Sequence, residues 1–90
     1  MLHYSERQEI RQRLCDQLDK ARVAHLAANK RFGLVIKESP AGLPHPDGVL
    51  SIQQAGRDSR EALRYYMLAL KRFSDFTLYG TIPEDLLPPD

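Results

Sequence analysis

Ninety residues with 13 Lys/Arg against 12 Asp/Glu, a formal net charge of +1, do not make the strongly basic chain that charge-driven nucleic-acid binding requires. The composition, 42% hydrophobic and 28% charged with a single cysteine and no tryptophan, fits one helical domain. It excludes an intramolecular disulfide and a paired-cysteine zinc or redox centre.

A chain this short buries only about 60% of the surface its unfolded form exposes, so self-association is the expected remedy for a small core. No stretch approaches the roughly 20 apolar residues of a membrane span, and the first residues lack the apolar run of a signal peptide. A cytoplasmic protein, whose lone Cys15 stays reduced, is the expectation.

Ser5 and Gln8 form the S-x-x-Q pattern of a capping box and predict a helix over about residues 6–33. Ile10, Leu14, Leu18, Ala21, His25, Ala28 and Phe32 then recur at steps of three and four, the spacing of one apolar stripe. Val23, Leu26 and Ala27 lie off that stripe, with Cys15 on the same flank, and a second apolar surface on one helix calls for a further neighbour. The charged positions alternate in sign at helical spacing, Glu9 with Arg13 and Asp16 with Lys20, as on a solvated face.

Gly33 weakens the helix, and Pro40 forbids its continuation. The connection over about residues 37–50 holds three prolines and two glycines, and Pro46, Asp47 and Gly48 suit a type I turn. Ser51 and Gln54 repeat the capping pattern and open a second helix over about residues 52–79. Its core stripe is Ile52, Ala55, Gly56, Ser59, Ala62, Leu63, Tyr66, Ala69, Leu70, Phe73, Phe76 and Thr77, at about 100° per residue. Gly80 is placed to end it in the left-handed conformation, ahead of an acidic tail over 81–90 in which Thr81 to Glu84 repeats the capping spacing and Leu86 and Leu87 can cover the end of the bundle.

Two helices of matched length predict an all-α, antiparallel two-helix hairpin forming a single domain, with facing residues whose numbers sum to about 84: His25 with Ser59, Ala21 with Leu63, Leu18 with Tyr66, Leu14 with Leu70 and Ile10 with Phe73. A hairpin core one layer thick leaves each stripe half wet, so two copies are expected to pair into a homodimeric four-helix bundle. The residues expected in that core and dimer interface are Leu14, Leu18, Leu26, Leu63, Tyr66, Leu70, Phe73 and Phe76. His25 and Ser59 are expected as a buried polar pair, and Leu68 and Leu78 as contacts for another partner.

Reactive chemistry is sparsely supported. His25 faces inward and is followed by LAANK, unlike an exposed phosphotransfer histidine with a lysine and glycine shortly after it; no Glu-x-x-His pair is present for a di-iron site, and of His3, His45 and Asp47 the last two offer at most a two-ligand fragment on a loop. Cys15 has Gln12, Asp16 and Asp19 as helical neighbours, none of which generates a thiolate. Tyr65 and Tyr79 lie off the main stripe, but Tyr66, Phe73 and Phe76 have core spacing, which does not make a base-stacking platform.

The expectation is therefore a small interaction or structural protein, not an enzyme, with no cofactor or metal and no membrane span. It would act as a homodimer that presents its loop or tail to another protein. The alternative is a nucleic-acid-associated regulator using Arg7, Arg11, Arg13, Arg57, Arg60 and Arg64, and a third reading is a phosphotransfer module or enzyme built on His25.

Overall fold

The computed structural model describes residues 3–38 and 46–87. Two helices, α1 (Tyr4–Glu38) and α2 (Pro46–Tyr79), run antiparallel, and a 3-10 turn at Glu84–Leu86 follows. No strand occurs among the described residues. At about 1.5 Å per residue each helix is ~50 Å long, and the molecule is a rod of 62 × 19 × 18 Å.

Both helices exceed the bounds predicted from their capping signals. The carbonyl of His3 accepts from the Arg7 backbone N–H at 3.1 Å, so α1 begins one residue before Ser5, which lies inside the first turn instead of at its mouth. At the other end α1 passes through Gly33 to Glu38, because one glycine costs only about 1 kcal/mol relative to alanine, less than the neighbouring turns supply, and the disruptive Pro40 lies beyond. Proline fits the first turn of a helix, where its missing N–H has no intrahelical partner to lose. Hence Pro46, Asp47 and Gly48 open α2, and the Ser51–Gln54 pattern is interior to it. The expected Leu-Pro-His-Pro loop segment falls largely outside the described residues, as does His45.

α2 ends as predicted. Gly80 has φ of 71°, its N–H donates to the Phe76 carbonyl at 2.9 Å, and the Thr81 N–H reaches back to the Asp75 carbonyl at 3.3 Å. The Gly80 bond is that of the αL motif, which satisfies a carbonyl of the last turn and turns the chain back along the hairpin. The tail then forms its 3-10 turn with Pro83 at the cap and no side-chain capping bond, so the Thr81 to Glu84 spacing does not act as a capping box.

The tight core lies at this end. Ile10, Leu14 and Phe76 are buried together, with Phe73, Ile82 and Leu86 packed against them. Leu14, 1% exposed, is the largest fully buried side chain among the described residues. The tail is therefore a structural part of the core: it supplies Ile82 and Leu86 as the third wall that a two-helix seam lacks. Leu87, also expected as a cover, is half exposed. From there toward the loop end the buried positions are small, Ala21, Ala55, Gly56 and Ala69, which let the helices approach closely but bury little apolar area.

The register differs from the predicted one by about one helical turn. Phe32 packs against Gly56, where an added Cβ would lie 3.3 Å from its ring, and Asn29 faces Ser59. Facing numbers thus sum to about 88. A phenyl ring seats against a position without Cβ more readily than against Ile52, and Asn29 finds a hydroxyl partner, so both contacts favour the shifted alignment. As a result Leu14 packs with Ile10 and Phe76, while its expected partner Leu70 remains 44% exposed.

Candidate functional site

The two sides of the hairpin are unequal. On one side, Arg31 bridges to Asp58 at 3.5 Å, and the tail lies across the seam near the open end of the hairpin. There one guanidinium nitrogen of Arg72, Nη2, donates to both carboxylate oxygens of Asp85 at 3.0 and 2.9 Å. That hydrogen bond, reinforced by the guanidinium charge, holds the Asp85 carboxyl below the usual carboxylate range against a smaller opposing effect of desolvation. Glu6, Glu9, Ile10, Arg13, Asp85, Leu86 and Leu87 line a cleft of about 250 Å³ between tail and α1. A second cleft on this side, about 140 Å³, holds Leu68 with Gln17, Tyr65, Ala69 and Arg72. Both fall below the ~300–1,000 Å³ of typical small-molecule sites.

The other side carries the polar group expected at His25 and Ser59, but in a different form. The two do not pair directly. The Ser59 hydroxyl donates to Asn29 Oδ1, and Asn29 Nδ2 bonds His25 Nε2 at 3.2 Å, so Asn29 links them. The His25 ring lies 5.6 Å from that of Tyr66, tilted by 33°. His25 and Ser59 are half-buried, not buried. Asn29 was not singled out by hydrophobic spacing because it is polar; its signal is its position one turn after His25, opposite a serine in the shifted register.

These contacts fix the phase of both helices and reveal an apolar face on the same side. Leu63, Tyr66, Met67 and Leu70 follow Ser59 by four, seven, eight and eleven residues, and Leu26, Arg22 and Leu18 precede Asn29 by three, seven and eleven. Leu26 is 57% exposed, Leu63 41%, Met67 61% and Leu70 44%; Leu18, Tyr66 and Cys15 are half-buried. Of the eight residues expected in core and dimer interface, Leu18, Leu26, Leu63, Tyr66 and Leu70 gather here, whereas Leu14, Phe73 and Phe76 belong to the core beneath the tail. Met67 completes the face and was missed, although its place between Leu63 and Leu70 at steps of four and three is the signal that identifies it.

The accessible surface of the chain as a whole is 7128 Å². A compact monomer of 10.3 kDa is expected to expose about 5,400 Å². The excess of ~1,700 Å² accompanies the elongated shape, 62 × 19 × 18 Å, which covers less of each residue than a sphere would.

Leu68 and Leu78, expected together as a partner contact, are separated. Both are exposed, but ten residues of helix place them about 15 Å apart along the rod, and only Leu68 lies on the tail side. Arg13 pairs with Glu9 at 3.6 Å, and Arg7 lies over the Phe76 ring at 5.8 Å from its centroid. No ion pair engages Arg11, Arg57, Arg60 or Arg64 among the described residues.

No three His, Cys, Asp or Glu side chains converge among the described residues, and Cys15 is a free thiol. No described helix is long and apolar enough to cross a membrane. Comparisons of the chain with protein-family models, curated proteins and solved structures found no significant match.

Proposed function

We propose that this chain is a small interaction module that works as a homodimer, two hairpins closing face to face into a four-helix bundle. The observation that carries this reading is the run of large side chains, Leu26, Leu63, Met67 and Leu70, left substantially exposed on the side of the hairpin away from its tail. Pairing would remove that exposure and add the buried apolar area that the small residues between the two helices do not supply. The tail side, with Leu68, would stay outward and available to a second protein. A reducing, cytoplasmic setting suits the free Cys15.

The test is the mass in solution of the wild type, Met67→Glu and Leu68→Glu. The reading predicts a dimer for the wild type and Leu68→Glu, and a loss of dimer for Met67→Glu, whose carboxylate would lose hydration within the apolar face. Equal effects of the two substitutions would place the interface elsewhere.

A second reading has one observation in its favour: Arg57, Arg60 and Arg64 form a basic stripe on α2 without a carboxylate partner among the described residues. It requires duplex DNA binding at low salt that weakens steeply as salt is added.

A further inference from the structure

We propose that the second copy docks with its α2 beside α1 of the first, about a twofold axis parallel to the rod, a pairing selected by charge; this rests on the self-association reading above. On α1, the apolar face is bordered by Asp19, one turn after Cys15 and two turns before Leu26, with Asp16 behind it. On α2, the border is basic: Arg60 and Arg64 lie about one turn from Leu63 and Met67, and Lys71 lies one turn beyond Met67. All five of these side chains are exposed.

Two twofold arrangements can lay this face upon itself. With the axis across the rod, α2 lies against α2 and six basic side chains, three from each chain, line one seam. With the axis along the rod, each basic border faces an α1 border carrying two carboxylates, of which Asp19 also holds Arg22 of its own helix at 3.8 Å. Like charges in register are disfavoured, and opposite ones steer and select the pairing.

The axial arrangement also matches levels. Residues whose numbers sum to about 88 share a height in the hairpin, as Asn29 with Ser59 and Phe32 with Gly56 show. An axis along the rod preserves height, so Leu18 meets the partner's Leu70 and Leu26 meets the partner's Leu63, give or take a residue. Asp16 and Asp19 bracket the partner's Lys71. Within its own chain Lys71 donates to Asp75 at 2.6 Å from an exposed position, and that contact can be shared with a neighbouring carboxylate.

The experiment measures the dimer dissociation constant at low salt for four chains: wild type, Asp16→Lys/Asp19→Lys, Arg64→Glu/Lys71→Glu, and the variant carrying all four substitutions. Circular dichroism confirms helix content in each. The axial pairing predicts that either double variant dissociates about tenfold more readily, as expected for exposed ion pairs reversed at two symmetric seams. Recombining the reversed charges in one chain restores dissociation to within a few-fold of wild type, because both seams again join opposite signs. Double variants that dimerise as tightly as the wild type overturn the pairing, as does a fourfold variant that stays weak. If Met67→Glu is nevertheless monomeric, self-association through this face still stands. A wild-type chain that is itself monomeric removes both proposals.

Discussion

Replacing Gly33 with alanine tests whether α1 continues through its glycine. An added Cβ at this exposed position meets no atom within 4 Å, so the substitution introduces no steric cost. Within a helix alanine is favoured over glycine by about 0.8–1 kcal/mol, chiefly because glycine gives up more backbone freedom on ordering. For a domain of this size about 1 kcal/mol raises the thermal midpoint by ~4–8 °C. Wild type and Gly33→Ala are to be compared by circular dichroism melts at equal chain concentration, since association makes the midpoint concentration-dependent. A neutral or destabilising result would refute the reasoning and mean that Gly33 ends the helix or takes a conformation closed to alanine.

Further substitutions probe the seam and the tail. Gly56→Ala makes the same backbone change, but its Cβ would come 3.3 Å from Phe32 Cε2; its gain in a urea melt should be smaller than that of Gly33→Ala, and an equal gain would show that Phe32 does not seat there. Leu14→Ala opens a cavity in the tight core and should cost about 2–5 kcal/mol by the same assay, whereas a cost under about 1 kcal/mol would place the core elsewhere. Arg72→Gln should raise the Asp85 pKa toward the ordinary carboxylate range, read by carboxyl-carbon NMR titration. Because the folded-state pKa is depressed, the contact's contribution is present above the unfolded pKa and lost as pH falls through the folded one; an Asp85 titration unchanged in Arg72→Gln would contradict the contact.

Much of the architecture is legible in the sequence because it depends on spacing and on local backbone chemistry. Steps of three and four place Ile10, Leu14, Ala21, Ala55, Ala69 and Phe76 on the inner faces, and all six are buried. Gly80 follows the last apolar residue of α2, the place of a left-handed terminator, and it has positive φ. The helix starts were misplaced because Ser5 and Ser51 carry capping patterns that compete with equally good starts at His3 and Pro46; a pattern marks a possible start, and context selects among them. Register was off by a turn because an amphipathic stripe tolerates sliding, whereas specific contacts such as Phe32 on Gly56 and Asn29 with Ser59 pin it. The placement of Leu63 and Leu70 shows the same limit, since a broad stripe on α2 serves two directions and only the geometry of the hairpin separates its inward members from its outward ones.

The central claim is that the hairpin is half of a bundle, and its most direct test is the mass of the wild-type chain by sedimentation equilibrium across micromolar concentrations. The account predicts a species of twice the 10.3 kDa chain mass that dissociates on dilution. A compact, cooperatively folded species at 10.3 kDa throughout that range would contradict it.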